Sequence, residues 1–418
     1  MRFRWFKGTP EEKDESSPFQ LPDIPPMEDV PNVEPPSPDF EAEAGREFGN
    51  EESGMAHLAP NAAEPEDLAL PTDLPEMLDN LPENSPEVLP VGNTSAPIRP
   101  KRDYRWLKTL TLGRLLRWGL FICALFWFFR NCHGDIPLED LKQRYVFPDS
   151  RFVPVCGMDV HCRISGKGET LLLLHDSYSS LRTWNAWHEG LSKKYRVVSV
   201  DLPGFGLTGP HPIGSYSAFM YKGFVDSFVQ TLQLKQFNLA GTGLGAQIAW
   251  FYASEFPEKL RHLILIDAAG FEKSDSDTWI TWVAKTPVLN GTLEHITPVD
   301  YIRLMLEDIY ADDNAVTDSL VKEHFELLLR PGNRKAMLDR ALVKDNWPPV
   351  AVIDTISIPT LILWGAEDAR ISPKYAYNFH GKIRTSALRI YQHTGHWPQE
   401  ENPAKTVRDV ALFLEGKF

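Results

Sequence analysis

The stretch "NLAGTGLGAQIAWFYASEFPEKL", Asn238 to Leu260, reads as an apolar strand, a glycine-rich turn and a helix. Its turn, Gly241-Thr242-Gly243-Leu244-Gly245, keeps the spacing of G-x-S-x-G. In that motif a strained strand-to-helix elbow raises a serine hydroxyl toward substrate. Gly243 stands at the nucleophile position and has no side chain with which to attack a carbonyl. The frame of an acyl-transfer site is there without its reacting group.

The elements that must carry this elbow are legible on both sides of it. "RFVPVCGMDVHCRISGKGETLLLLHD" reads as a hairpin turning near Gly157, followed by a fully apolar strand ending at His175. An uninterrupted apolar run of this kind suits a parallel strand buried on both faces. Strand "RVVSVD", helix "AFMYKGFVDSFVQTLQL", strand "FNLAG", helix "AQIAWFYASEF" and strand "LRHLILID" continue the alternation. Such repetition predicts a doubly wound, mostly parallel α/β sheet. From about 271 to 350 the pattern turns wholly helical, and strand character returns in "IPTLILWG". This insertion is expected to form a cap over the C-terminal edge of the sheet.

The chain from about 149 to 418 resembles the α/β-hydrolase family. The matching motifs are "DLPGFG" at Asp201 to Gly206, "LILWGAEDARISP" and "HTGHWPQEENP", in that order, with the elbow between the first two. The resemblance implies an α/β-hydrolase fold with a helical cap, Asp368 at the catalytic acid position and His396 at the catalytic histidine position. The family's order of nucleophile, acid and histidine is then met by Gly243, Asp368 and His396. In such a triad His396 would take the nucleophile's proton and return it to the leaving group, while Asp368 fixes the imidazole tautomer.

A second departure lies in the oxyanion loop, which reads "HDSYSS" with Asp176 where the family has glycine. This loop should supply a backbone N–H, nominally that of Ser177, to act with the N–H of Leu244 on a developing oxyanion. A carboxylate at Asp176 would repel that charge. It would also need a backbone conformation that glycine adopts freely. Read as two independent losses, Gly243 and Asp176 point to relaxed demand for catalysis. The glycines of the elbow then persist because helix and strand approach closely there. Asp201 is expected to fix a loop, Thr242 to point into the sheet, and Trp364 and Trp397 to pack.

In front of the domain the composition changes sharply. Residues 1–100 hold 22 Asp and Glu against 6 Lys and Arg, and 18 of the 34 prolines, with no sustained apolar period. A segment like this buries too little apolar surface to offset chain entropy and is expected to be disordered. Its start, "MRFRWFKG", is basic and aromatic, and residues 1–30 contain no apolar core of a cleavable signal. Residues 105–131 follow as a membrane-anchoring helix, then a stalk over 132–148. The uninterrupted run Trp118 to Phe129 covers ~18 Å as helix, against ~30 Å of hydrocarbon, so spanning requires a start near Leu110 with Arg114 and Arg117 reaching the interface.

Basic residues gather before the run, and only Arg130 closely follows it. The expected topology is therefore single-pass, with a cytoplasmic N-terminus and an extracytoplasmic (periplasmic or lumenal) domain. Four cysteines match no zinc motif, and a Cys156–Cys162 disulfide is conceivable in that compartment. Asn290 heads a glycosylation sequon. No metal, cofactor or nucleic-acid site is expected, because no ligand-spaced His cluster, phosphate-cradling loop or basic surface stands out in the globular part.

The functional expectation is a membrane-anchored pseudohydrolase that binds a small-molecule ligand or a protein partner. Its rival is an active hydrolase of ester, epoxide or similar bonds, or a lyase, working through the His396 and Asp368 dyad.

Overall fold

The computed structural model describes residues 112–271, 284–286, 291, 295–343 and 347–418. The acidic segment 1–100 and the sequon at Asn290 lie outside the described residues, as does part of the expected cap.

Eight strands form one sheet in the order β1-β2-β4-β3-β5-β6-β7-β8. Strands β1 (Ser150–Val155) and β2 (Met158–Ser165) make the expected hairpin, turning through Cys156 and Gly157, both at positive φ. Strand β2 runs antiparallel to β4 (Arg196–Val200). From there β3 (Thr170–Leu174), β5 (Phe237–Thr242), β6 (Leu260–Ile266), β7 (Thr360–Gly365) and β8 (Ser386–Tyr391) are all parallel. Every residue of β3, β5 and β7 is buried, which is why these strands read as continuous apolar runs rather than alternating ones.

Helices cover both faces. On one side α4 (Ala218–Thr231), α5 (Leu244–Glu255) and α9 (Lys374–Lys382) bury Phe224, Phe228, Trp250, Phe251 and Phe379. On the other, α3 (Asn185–Leu191) and α11 (Pro403–Leu414) bury Trp187, Val410 and Phe413 beside Trp184. The α3 helix, β8 and α11 were not read from the sequence. Strand β8 buries one residue in six, as does β1 at the opposite edge, as befits edge strands. The described part of the cap holds α6 (Val299–Glu307), α7 (Asp318–Leu328) and α8 (Asn333–Leu342).

Ahead of the sheet, α1 (Leu112–Asn131) is exposed from Gly113 to Arg130 apart from half-buried Phe128. Among the described residues no helix is long and apolar enough to cross a membrane. The segment expected as a stalk contains α2 (Leu138–Tyr145), whose Leu141 and Tyr145 are buried with Leu207 and Leu327. Tyr145 also donates its hydroxyl to Glu326 at 2.7 Å.

The Cys156–Cys162 disulfide is absent: all four cysteines are free. Cys156 sits in the hairpin turn while Cys162 lies four positions along β2 from Met158, and four residues of strand span roughly 13 Å. The hairpin holds the two sulfurs apart, and Cys162 is buried in the core instead.

Candidate active site

The parallel strands deliver their C-terminal ends to one edge of the sheet, the place where open α/β sheets bind ligands. Strand β3 leads into His175 and Asp176, β5 into Gly243, β6 into Asp267, β7 into Asp368, and β8 into the loop that carries His396. Gly243 precedes α5 with φ 52° and ψ −114°, so the sharp elbow is intact. A side chain at Gly245 would collide with the carbonyls of Leu174 and His175, so this glycine is needed by the close strand-to-helix approach. Thr242 is fully buried in the sheet, as expected, and Asp201 accepts the N–H groups of Leu181 and Leu207 as a loop-fixing carboxylate.

His396 and Asp368 meet as the resemblance implied, with Nδ1 of His396 2.8 Å from Oδ2 of Asp368. The other oxygen of Asp368 accepts the N–H groups of Arg370 and Ile371, at 2.8 and 2.9 Å. What stands at the third position of the triad is Asp176. A Cβ built on Gly243 would overlap the Asp176 carboxylate, so that carboxylate occupies the space from which a nucleophile's side chain would project. Its Oδ1 accepts the Leu244 N–H at 2.7 Å. Its Oδ2 lies 3.1 Å from Nε2 of His396 and accepts the indole N–H of Trp397 at 3.3 Å.

Three expectations are corrected by this geometry. Asp176 stands not beside the oxyanion position but in it, its own oxygen taking the Leu244 amide, where its charge would repel an oxyanion. Nor is its backbone strained, since the positive φ in this loop falls on Tyr178, at 60°. Gly243 and Asp176 are also not independent losses. Each fits only because of the other: the carboxylate needs the glycine's empty space, and the glycine leaves His396 needing a partner. Ser177 lines the same site, and its hydroxyl accepts from Arg340 at 3.2 Å.

The charges follow from this arrangement. Burial alone would lower the pKa of His396, but Asp368 and Asp176 on either side outweigh it and raise the group to about 9. Burial opposes ionisation of Asp176 as well, yet His396 and the Leu244 amide bring it down to about 2. At neutral pH the centre is thus an imidazolium between two carboxylates. Asp267, buried at the end of β6 with φ 42°, is pushed well above the usual carboxylate range by burial and by Asp368. Asp267, Asp368 and His396 bring one potential ligand atom each within 4.8 Å of one another. A cation there would have to displace the His396–Asp368 hydrogen bond.

Several supporting groups escaped the sequence reading. His175 is buried and held neutral by desolvation. It contacts the Asp176 carbonyl through Nδ1 at 2.7 Å and takes the Leu202 N–H on Nε2 at 2.9 Å, which fixes the loop bearing Asp176. Glu401 accepts the N–H groups of Gly395 at 2.9 Å and Ala311 at 2.8 Å and so shapes the turn that presents His396. The signal for Glu401 was its place five residues after His396; nothing in the pattern distinguished it from a solvated acid. Above the centre opens a cavity of ≈490 Å³ whose wall includes Asp176, Leu244, Gln247, Arg340, Arg370 and His396. Neither guanidinium forms an ion pair among the described residues.

A model of the alpha/beta hydrolase family matches residues 171–410, more than half of the chain. The chain belongs to this family. Among its relatives, 2-hydroxy-6-oxo-2,4-heptadienoate hydrolase of Pseudomonas putida is 26% identical over 279 residues, covering 64% of this chain and 96% of the relative. Human monoacylglycerol lipase ABHD6 is 24% identical over 266 residues, covering 60% and 76%. Of the solved structures, a meta-cleavage product hydrolase from Pseudomonas fluorescens IP01 superposes with a TM-score of 0.56 at 22% identity, covering 64% of this chain and 98% of that one. Two of these proteins are hydrolases by name and one a lipase; in this chain Gly243, at the nucleophile position of the elbow, carries no hydroxyl.

Proposed function

We propose that this chain is a membrane-tethered α/β-hydrolase-fold protein that has left serine-hydrolase chemistry, a pseudohydrolase toward esters and other acyl substrates, which binds a small molecule in the cavity at its sheet edge. One observation carries the reading: the Asp176 carboxylate fills the nucleophile's space and occupies the Leu244 amide. Acyl transfer needs an activated nucleophile and a free oxyanion donor, and both places are taken. The rival in which the His396 and Asp368 dyad activates water directly is opposed by geometry, because Nε2 of His396, the atom that would take water's proton, already faces Asp176 Oδ2 at 3.1 Å.

The net positive wall formed by Arg340, Arg370 and the imidazolium favours an anionic or strongly polar ligand. Tethering rests on α1, where Trp118, Leu120, Phe121, Ile122, Phe126 and Trp127 stand exposed. An exposed apolar surface of this kind calls for a lipid or protein environment.

The test is a fluorophosphonate probe, which labels an activated hydroxyl. The native chain is expected to remain unlabelled, Gly243→Ser alone to gain little, and Gly243→Ser with Asp176→Gly to begin labelling. Stoichiometric labelling of the native chain would overturn the proposal.

A further inference from the structure

We propose that residues 132–148 are a clamp rather than a stalk, and that they hold the cap edge around Thr297 and Val299 against the surface of a phospholipid bilayer. The inference rests on the tethering reading of α1 and adds to it the face of the domain that meets the lipid.

The chain that leaves α1 has no slack. An extended stretch of that length would let the domain stand about 50 Å from the membrane. Instead α1 closes at Asn131, whose side-chain amide donates to the Trp127 carbonyl at 2.7 Å, and pairing with the cap begins at the same residue. The Thr297 N–H donates to the Asn131 carbonyl at 2.9 Å and the His133 N–H to the His295 carbonyl at 3.0 Å, with an antiparallel bridge between Cys132 and Ile296. Backbones paired in this way lie about 5 Å apart. The end of α1 and the edge of the cap therefore occupy one place.

A buried guanidinium locks the junction. Arg334, from cap helix α8, donates to the His133 carbonyl at 2.8 Å and to Asp135 at 2.6 Å, with only 4% of its side chain exposed. The His133 ring meets Phe325 of α7 edge-on at 4.9 Å, and the Ile136 N–H donates to the Leu329 carbonyl at 2.9 Å. Further on, Arg144 and Tyr145 at the end of α2 both reach Glu326 of α7. A spacer would need none of these contacts with the cap.

The partner follows from α1 itself. A helix that docks in a protein groove keeps a polar face for water, whereas one that is apolar all round belongs in a core or in lipid. Leu120, Phe121, Ile122, Leu125, Phe126 and Trp127 are all exposed and, at about 3.6 residues per turn, look out on every side of α1. Arg114 and Arg117 precede this run and Arg130 closes it, so the cations stand where phosphate headgroups would and the apolar middle where acyl chains would. Whether α1 crosses the bilayer or lies in its plane, Arg130 and Asn131 come at headgroup level, and the cap edge paired with them comes there too. Beside that edge Val299 opens α6 with its side chain exposed, and Leu304 further along the helix is exposed as well.

The experiment uses the full chain in phosphatidylcholine nanodiscs, with the exposed Cys123, Cys132 and Cys156 replaced by serine and the buried Cys162 kept. Ile122→Cys, Val299→Cys and Lys235→Cys each carry a bimane probe, and phosphatidylcholine brominated in the upper acyl chain is the quencher. Lys235 precedes β5, at the opposite end of the sheet from the cap. The probes at 122 and 299 are expected to lose fluorescence in brominated discs relative to plain ones, and the probe at 235 to lose none. Arg334→Met, checked for folding by near-UV circular dichroism, should weaken quenching at 299 and leave it unchanged at 122.

Quenching at 122 without quenching at 299, or equal quenching at 299 and 235, would overturn the proposal and leave the tether standing. Unchanged quenching at 299 in folded Arg334→Met would overturn the clamp. Absence of quenching at 122 would overturn the tethering reading, and this proposal with it.

Discussion

Replacing Gly243 by alanine should destabilise the protein strongly in the native background and only weakly once Asp176 is gone. The added Cβ would overlap the Asp176 carboxylate, which cannot stay where it is. Displacing it breaks a buried contact with His396 and a hydrogen bond from the Leu244 amide, at 3.1 and 2.7 Å. Losing one partner of a buried ion pair costs about 3–5 kcal/mol. Asp176→Gly alone loses the same two contacts and should cost about 3 kcal/mol. In the double variant those contacts are already absent, and Gly243→Ala then adds only the strain of a side chain at φ 52°, about 1 kcal/mol. The cycle should therefore be non-additive by about 3–5 kcal/mol, with the double variant more stable than the sum of the singles predicts. Urea unfolding of the detergent-solubilised chain at pH 7, followed by tryptophan fluorescence, measures each corner. Additivity within about 0.5 kcal/mol would refute the steric coupling of the two positions.

Three other outcomes are expected. Because His396 is raised to about 9, its contribution to stability is complete below about pH 6.5 and is lost as pH rises through 9, an effect of about 3 kcal/mol; urea midpoints measured from pH 6 to 10 should show this fall, and Asp176→Asn should flatten it. Glu401→Ala removes the acceptor for the Gly395 and Ala311 amides and should cost about 2–4 kcal/mol, read as a lowered melting temperature. Protease added to sealed, right-side-out vesicles should digest the domain and spare the acidic N-terminal segment; equal protection of both would exclude the spanning topology and leave an in-plane helix.

The fold was legible because its signals are local. Buried parallel strands write themselves as apolar runs, and Gly245 betrays a turn in which helix and strand nearly touch. Elements with mixed burial were harder to see: edge strand β8 buries one residue in six and, unlike the equally exposed β1, is marked by no hairpin turn, and α3 is a seven-residue helix entered through a short 3₁₀ turn. Asp267 lies in no motif, and Trp397 and Glu401 lie inside the His396 motif without showing their roles, which depend on what faces them from other strands and loops.

The sequence by itself determined that Gly243 cannot attack a carbonyl and that Asp368 and His396 follow it in the order a triad requires, and the family resemblance it carries marked Asp176 as standing in place of a glycine within the oxyanion loop. It could not relate Gly243 to Asp176, which are 67 residues apart and follow different strands. Only the parallel pairing of β3 with β5 brings their ends together and places the carboxylate in the void above the elbow. Spacing along the chain reports which groups exist and in what order. Whether two departures are separate losses or one exchange depends on distance in space, and that was decided by the register of two strands and the absence of a single Cβ.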